Sequence, residues 1–386
     1  MTVHPVAPRI DALRPAWAEI DLDAIGANAA LLAALVAPAQ LCAVVKAWGY
    51  GHGPVEVATA ALAGGATWLA VALVEEGQYL RAAGVTAPIL LLSEPPAEAM
   101  AEVVRGGLTA TVYTAAGVRA LAAAAEAAGG PPVPVHLKVD TGMHRVGAPP
   151  QEALGLAQQV AAEPALVLDG LYTHFAVADE PAAPETGEQL ATFQATARRL
   201  AAAGIAPRVL HAANSAGAIV HPDSRLDLVR CGIALYGLAP SAALVDWGPF
   251  RQLRPAMALA AQVSHVKVVA AGERLSYGLT YRLAQPSVIA TVPLGYADGV
   301  TRRLAATGGD VLVNGRRHRI AGTVTMDQIL VDCGPGADVA VGDTVVLIGR
   351  QGDEEVTAWE WAQKVDSIAY EVVCGVSARV PRVYRR

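Results

Sequence analysis

Eight short apolar runs alternate with helical segments from residue 41 to about residue 237, and this alternation constrains the fold more than any other feature. Intervening segments such as 187-GEQLATFQATARRLAAAG-204 carry apolar residues about 3.6 positions apart and end at glycine. Runs that are apolar on both faces and separated by helices are typical of a parallel sheet covered on both sides. Eight units predict a closed (β/α)8 barrel. The runs are 42-CAVVKA-47, 68-WLAVAL-73, 88-PILLLS-93, 108-LTATVY-113, 135-VHLKVD-140, 170-GLYTHFA-176, 209-VLHAANS-215 and 228-LVRCGIAL-235.

The pattern changes after about residue 245, where β-type alternation and turn dipeptides replace the helical spacing, as in 287-SVIATVPLGYADG-299. We therefore predict two domains, a barrel over residues 1–245 and a mostly β domain over 246–386. One short helix near 357-TAWEWAQKV-365 is expected within the second domain. The early segment 16-AWAEIDLDAI-25 is expected to supply a strand and a helix start before the first barrel repeat.

Composition excludes several classes of function. A net charge of −6 offers no basic patch, so nucleic acid is not an expected partner. No uninterrupted apolar stretch reaches the roughly 18 residues of a membrane span, and the N-terminus lacks the basic start and long apolar stretch of a signal peptide. The four cysteines show no CxxC spacing, and no HExxH or P-loop is present. A cytoplasmic protein without a metal site is expected.

Polar side chains recur where the predicted barrel strands end, which is the rim that carries the chemistry of such barrels. Each has a simpler structural explanation when it is taken alone: a core histidine, a helix cap or a buried ion pair. Because they converge on one rim, together they predict a site. They are Lys46, Lys138, Asp140, Arg145, His174, Asn214, Ser215 and Arg230.

Lys46 interrupts an apolar strand, and a buried ammonium is costly unless it is paired or modified. A lysine amine in a dry pocket is a good nucleophile toward aldehydes and forms Schiff bases. Pyridoxal phosphate is such an aldehyde cofactor, and its phosphate needs a site of its own. The small residues of 214-NSAG-217 and 231-CGIALYG-237, after the seventh strand and along the eighth, would let backbone amides approach an anion.

These residues resemble the alanine racemases, a family of fold-type III pyridoxal phosphate enzymes, over essentially the whole chain. The resemblance rests on the number and order of several motifs, each weak by itself. They include 45-VKAWGYGHG-53, 138-KVDTGMHRVG-147, 172-YTHFA-176, 211-HAANSAG-217, 230-RCGIALYGLAPS-241, 275-LSYGLTYR-282, 293-PLGYADG-299, 326-MDQ-328 and 370-YEV-372.

The resemblance implies interconversion of L-alanine and D-alanine by two bases, with D-alanine supplied to peptidoglycan. Lys46 would bind the cofactor and act as one base, while Tyr277 would act as the other from the partner subunit of a homodimer with shared active sites. Lys138 would be the position that is often carbamylated. The remaining implied cofactor contacts are Tyr50, His174, Asn214, Ser215, Arg230, Gly232, Ile233 and Tyr370, and the implied substrate contacts are Arg145, Met326 and Tyr296.

The chain departs from the family pattern at two positions. Trp48 stands where Asn or Asp is usual, and Thr325 stands where Cys is usual. The second departure leaves a serine or broad-specificity racemase open as an alternative. A fold-type III decarboxylase is disfavoured because its usual glycine-rich phosphate motif and catalytic cysteine are missing. A non-catalytic pyridoxal phosphate carrier is disfavoured because such carriers look like the barrel alone and lack a β domain.

Overall fold

The computed structural model describes residues 13–386. Residues 1–12, which hold the start of the predicted first domain and of the segment judged not to be a signal peptide, lie outside the described part. The chain divides into two compact units. One unit comprises Ile25–Gly49 and Pro54–Leu253, and the other comprises the described residues up to Ala24, Tyr50–Gly53 and Arg254–Arg386.

The unit built mainly from residues 25–253 is the predicted barrel. After a first strand β1 (Ala16–Asp21), which belongs to the other unit, eight parallel strands follow in chain order: β2 (Gln40–Val44), β3 (Trp68–Val71), β4 (Ile89–Leu91), β5 (Ala110–Val112), β6 (Val133–Lys138), β7 (Leu166–Tyr172), β8 (Val209–His211) and β9 (Leu228–Cys231). They pair in the orders β4-β3-β2-β9 and β5-β6-β7-β8. Backbone hydrogen bonds join the two sheets, from Leu91 N to Thr109 O and from Arg230 N to Ala213 O, each 3.0 Å. The prediction of a (β/α)8 barrel is confirmed.

Helices separate the barrel strands at the places where the spacing predicts them. Local sequence sets some of their ends: the Thr114 hydroxyl accepts a hydrogen bond from Gly117 N, and Gly129 closes the same helix with φ 64°. The helices are Leu22–Val36, Pro54–Ala63, Val74–Ala82, Met100–Arg105, Ala115–Ala128, Ala153–Ala162, Glu185–Ala202 and Ser215–Val220.

The other unit is mainly β, as predicted. Its strands are β1, β10 (Met257–Gln262), β11 (His265–Val269), β12 (Arg274–Leu275), β13 (Tyr281–Arg282), β14 (Ser287–Val292), β15 (Asp310–Val313), β16 (Arg316–Ile320), β17 (Ile329–Gly334), β18 (Thr344–Gln351), β19 (Glu354–Val356) and β20 (Arg382–Arg385). One sheet runs β11-β14-β17-β16-β15-β18-β10-β1-β20, with β19 on β18, and β12 and β13 form a separate hairpin. The helices are Arg303–Ala306, Ala358–Val365 and Ala369–Cys374.

The first strand and the helix after it precede the barrel repeats as predicted, but β1 does not join the barrel sheet. It lies between β10, to which it is antiparallel, and β20, to which it is parallel. Trp17 and Ile20 are buried in this sheet. An apolar strand pattern predicts burial but does not specify a partner strand, so the sequence could not place β1. The two units divide at Leu253/Arg254, and the described residues up to Ala24 and Tyr50–Gly53 group with the mainly β unit. The division at 245/246 stays a prediction.

Candidate active site

Lys46 lies two residues beyond the end of β2, half-buried, rather than on the strand itself. The next residues form a left-handed turn, with φ of 52° at Ala47, 57° at Trp48 and 60° at Gly49. Because non-glycine residues rarely adopt positive φ, this turn is strained and needs support. The carboxylate of Glu76 supplies some of it by accepting a hydrogen bond from Ala47 N at 2.6 Å.

Lys138, the last residue of β6, is almost fully buried, and its Nζ donates to Leu92 O at 3.1 Å. Burial, followed by the charges of Arg230, Arg145 and Lys46, lowers the pKa of Lys138 to about 7. Four cationic side chains thus meet at one mouth of the barrel. About half of the Lys138 amine is therefore neutral near pH 7, and the surplus of positive charge suits an anionic ligand.

Arg230 on β9 is 3% exposed, and its guanidinium bonds to groups inside the barrel. Its guanidinium donates to Thr173 O at 2.8 Å, to Ala212 O at 3.0 Å and to His211 Nδ1 at 2.8 Å. His174 Nδ1 lies 3.3 Å from Nη2. The predicted contact between His174 and Arg230 is therefore present. Burial and the Arg230 charge hold the pKa of His174 well below its usual range, so the ring is neutral.

Ser215 does not cap its helix, which was the simpler explanation for it. Asn214 takes that role, since its Oδ1 accepts a hydrogen bond from Gly217 N at 2.9 Å. The buried Ser215 hydroxyl instead accepts from Gly232 N at 3.0 Å and Ala234 N at 3.3 Å. The loops after β8 and β9 are thereby tied together, which brings Ser215, Gly232 and Ile233 into one group of small residues and backbone amides.

Tyr50 and Tyr370 belong to the other unit, where their ring centroids lie 6.1 Å apart. Tyr277, Tyr296 and Met326 also belong to that unit and share a cleft of about 650 Å³. The predicted site residues therefore form two sets, one in the barrel unit and one in the mainly β unit. Arg145 is exposed on the loop after β6.

Tyr277 projects from a short loop and is 74% exposed. The preceding residue, Ser276, has φ 62° and ψ −174°, a conformation that is essentially restricted to glycine. Ser276 Oγ donates to Thr323 O at 2.6 Å, and Thr323 Oγ1 donates to Tyr277 O at 2.8 Å. Two hydroxyl groups thus hold the strained loop in place.

The two departures from the family pattern have local explanations. The Trp48 ring packs against Tyr79 with centroids 5.2 Å apart. The backbone of Trp48 has a positive φ, which explains why Asn or Asp is usual at this position, since among non-glycine residues these two tolerate the left-handed region best. Thr325 Oγ1 donates to Gln328 O at 2.8 Å and accepts from Gln328 N at 3.2 Å, so the hydroxyl closes a turn at the edge of the cleft.

Sequence reasoning missed several polar residues of the barrel interior. His136 and His211 are fully buried, and Glu76 accepts hydrogen bonds from three backbone amides. A signal for His136 was available, since it stands two positions before Lys138 on the same strand and so faces the same side. Among residues 13–386, no cluster of potential metal ligands occurs and no helix is both long and apolar enough to cross a bilayer.

A closed parallel barrel with a cation-rich mouth at the carboxyl ends of its strands defines an enzyme of the (β/α)8 type. Family models agree over nearly the whole chain: the alanine racemase N-terminal domain matches residues 20–240 and the C-terminal domain matches residues 256–384. The chain therefore belongs to the alanine racemase family, whose members are isomerases.

Individual relatives give the same result. The alanine racemase of Symbiobacterium thermophilum is 48% identical over 97% of this chain and 98% of its own. The crystal structure of alanine racemase from D-cycloserine producing Streptomyces lavendulae has a TM-score of 0.91, with 40% identity over 97% of this chain and 98% of that chain. That of Bacillus anthracis, with bound L-Ala-P, also has a TM-score of 0.91, with 40% identity over 98% and 96% of the two chains.

Proposed function

We propose that this enzyme interconverts L-alanine and D-alanine with pyridoxal phosphate as its cofactor. The observation that carries the proposal is the barrel mouth, where Lys46 lies among Lys138, Arg145 and Arg230. A reactive amine among cations suits a ligand that is both an aldehyde and an anion. The family membership supports alanine as the substrate.

The residues present fit the cofactor. Its phosphate would be held by Ser215, Gly232 and Ile233, which join the loops after β8 and β9, with Asn214 beside them and with Tyr50 and Tyr370 as hydroxyl donors. Such glycine-rich loops with amides next to a helix start are ready anion sites. Arg230 would face the pyridine nitrogen as a pure donor, because arginine keeps its protons. When bound, the cofactor supplies an electron sink that acidifies the substrate's α-carbon proton.

Racemisation requires a proton to leave one face of a planar carbon and another to arrive on the opposite face. One base does not readily serve both faces, so two are needed. Lys46 Nζ would hold or release a proton on one face, and Tyr277 Oη of the partner subunit would do so on the other. The strained turns that carry both residues support this assignment, since backbone strain concentrates at functional sites.

Arg145 would bind near the substrate, with Lys138 orienting it. The neutral fraction of the Lys138 amine, about half near pH 7, can react with carbon dioxide, and the resulting carbamate would place a negative charge near Arg145 and Arg230. The lowered pKa of Lys138, about 7, supports this modification. A mass increase of one carbon dioxide at Lys138 in peptides kept in bicarbonate, lost after acid treatment, is the expected observation.

The assembly would be a homodimer in which each barrel receives Tyr277, Tyr296 and Met326 from its partner. These side chains, together with Leu279, leave large apolar surfaces exposed on the mainly β unit. Adjacent exposed apolar side chains mark protein–protein contact surfaces. Loss of activity on dilution into the monomer range supports the proposal, and a fully active monomer contradicts it.

We further propose that the enzyme works in the cytoplasm and supplies D-alanine for peptidoglycan. The four cysteines are free thiols, three of them buried in strands and Cys374 exposed at a helix end. Free thiols, one of them exposed, fit a reducing compartment. Restored growth of a bacterium that requires external D-alanine would support this role.

One experiment separates the candidate reactions. Purified enzyme is incubated separately with L-alanine, L-serine and L-lysine, and the products are resolved by chiral chromatography. D-alanine as the main product supports the proposal, D-serine at a similar rate supports the broader racemase, an amine product indicates decarboxylation and unchanged substrates indicate a carrier. Thr325, the residue that raised the broader alternative, uses its hydroxyl within its own turn.

Two variants test the roles of the bases. Lys46→Ala is expected to abolish racemisation and covalent cofactor attachment after borohydride reduction. Tyr277→Phe should slow α-proton exchange of L-alanine in deuterium oxide far more than that of D-alanine. Because Tyr277 is exposed, its substitution leaves folding intact. Equal losses for the two enantiomers would refute the two-base assignment.

A further inference from the structure

A chain of polar side chains crosses the barrel interior and ends at Arg230. From Arg230 Nη1 it continues to His211 Nδ1 at 2.8 Å, and from His211 Nε2 to His136 Nδ1 at 2.8 Å. His136 Nε2 then lies 3.6 Å from Asp169 Oδ2. Arg208, largely exposed, pairs with both Asp169 oxygens at 2.8 and 2.9 Å. The path thus connects the proposed cofactor arginine with the surface at the amino-terminal ends of the strands.

The geometry fixes where the protons of the two histidines lie. Arginine only donates hydrogen bonds, so His211 Nδ1 must accept and its proton must be on Nε2. That proton points at His136 Nδ1, which must accept in turn, so the His136 proton is also on Nε2. His136 Nε2 is buried, and its nearest acceptor is the Asp169 carboxylate, at ion-pair rather than hydrogen-bond distance. Both rings therefore point their N–H groups away from Arg230 and toward Asp169.

The backbone is adapted to this contact. The pairing of β6 with β7 shifts register between Val135 and His136, which leaves Asp169 as the extra residue of a bulge. Bulges commonly re-aim a side chain. Next to it, a Cβ on Gly170 would lie 2.5 Å from His136 Nδ1, so only glycine leaves room for the ring. Tyr172 stacks on the His211 ring at 4.5 Å and 6°, which restrains the second histidine.

The charges are consistent with two neutral rings between an anion and a cation. Burial, followed by the Arg230 charge, holds the pKa of His211 well below its usual range. Burial also lowers the pKa of His136. The neighbouring His136 and Arg208 lower the pKa of Asp169 to about 2. Within residues 13–386 no carboxylate lies within ion-pair distance of Arg230, so the polarised histidines are its link to a negative charge.

We propose that His211, His136 and Asp169 are positioning residues that fix the orientation of the Arg230 guanidinium through two neutral histidines of one tautomer. Their effect on the reaction rests on the proposed function, because Arg230 acts there at the cofactor's ring nitrogen. Their arrangement does not depend on it. A looser guanidinium would leave substrate binding largely intact and would slow the step that needs the aligned ring.

The tautomers are tested on the full-length protein by nitrogen-15 NMR with labelled histidine, assigned by replacing the other histidines one at a time. The expected result is that Nδ1 of both His136 and His211 shows the shift of an unprotonated acceptor and Nε2 that of an N–H. A proton on Nδ1 of His211, or a doubly protonated ring at neutral pH, overturns the proposal. The tautomers are read on the native protein, the variants serve only to assign the signals, and the result does not depend on activity.

The consequence is tested with Asp169→Asn, which removes the anionic end at nearly constant shape. Asp227→Asn is the matched control, because Asp227 lies immediately before β9 and its carboxylate accepts a hydrogen bond from Leu210 N at 2.8 Å, away from the two histidines' path. We expect Asp169→Asn to shift the nitrogen signals of both histidines and to lower kcat about tenfold with KM changed less than about twofold. The control should do neither.

Unchanged histidine signals and unchanged kcat in folded Asp169→Asn protein would overturn the proposal. Altered signals with unchanged kcat would overturn its catalytic part. A native enzyme that does not racemise any amino acid would instead refute the proposed function, and the tautomer measurement would still decide the arrangement.

Discussion

The two residues proposed as bases lie next to turns in which non-glycine residues adopt positive φ. After Lys46, the three consecutive residues Ala47, Trp48 and Gly49 have φ between 52° and 60°, and two of them are not glycine. Around Tyr277, the strain is concentrated at Ser276, with φ 62°, and at Leu279, with φ 50°. Both turns direct a functional side chain out of regular structure.

The supports of the two turns differ. The first is held by a carboxylate, since Glu76 accepts from Ala47 N at 2.6 Å and from Ala72 N at 2.8 Å. The second lies at the surface and depends on the hydroxyls of Ser276 and Thr323. The second turn is therefore held by a few hydrogen bonds that substitution of Ser276 or Thr323 can remove.

The largest expected effect is on the pH dependence of stability, and it comes from Lys138, whose pKa is lowered by burial and by cations that include Lys46. The pKa of Lys138 is lowered from 10.5 to about 7, so the unfolded chain binds more protons than the folded one between these values. Stability relative to Lys138→Met should therefore rise as pH increases from about 7 to about 10, by up to about 4–5 kcal/mol. Urea unfolding of both proteins without bicarbonate measures this difference. A difference that stays constant with pH would contradict it.

Gly51 lies two residues beyond the first turn and is closely packed within the mainly β unit. A Cβ there would lie 2.3 Å from Val373 O, and φ is 80°. Gly51→Ala should cost about 3–4 kcal/mol, as strain and clash add. Gly84→Ala is the matched control, because φ is 86° with nothing within 4 Å, so only the backbone term of about 1–2 kcal/mol remains. Equal losses of stability in the two variants, measured by thermal unfolding, would show that the backbone around Gly51 can relax to accept a Cβ.

Ser276 tests the second turn. Ser276→Ala keeps the backbone strain and removes the 2.6 Å bond to Thr323 O, so a loss of about 1 kcal/mol is expected. Ser276→Gly removes the same bond and also relieves the strain, so it should be more stable than the alanine variant by about 1–2 kcal/mol. The comparison is made by chemical denaturation and by kcat. If the glycine variant is less stable than the alanine variant, the backbone at Ser276 is not strained.

Substitution of Trp48 is expected to have the smallest effect on stability. Trp48→Ala keeps a non-glycine residue at φ 57° and loses the contact with Tyr79, so a loss of about 1 kcal/mol is expected. Trp48→Asn loses the same contact but tolerates positive φ better, which should bring stability close to the native value. If the two variants lose equal stability, the left-handed conformation is not what makes Asn usual there.

Much of the fold follows from the sequence because it depends on local periodicity. The eight barrel strands and the later β unit were predicted from apolar spacing and turn residues. The place of β1 was not, because pairing between residues such as Trp17 and Ala260 is set by competition among distant strands. Tyr50–Gly53 grouped with the mainly β unit for the same reason.

For the candidate site, the sequence by itself determined which residue types end the barrel strands, and these included Lys46, Lys138, His174 and Arg230. Only the tertiary structure decided their protonation and orientation. Burial and neighbouring charges lower the pKa of Lys138 to about 7 and hold the pKa values of His174 and His211 well below their usual range, and no sequence pattern contains those distances. The tertiary structure also revealed the path from Arg230 to Asp169, because a bulge and one glycine bring together side chains that lie far apart along the chain.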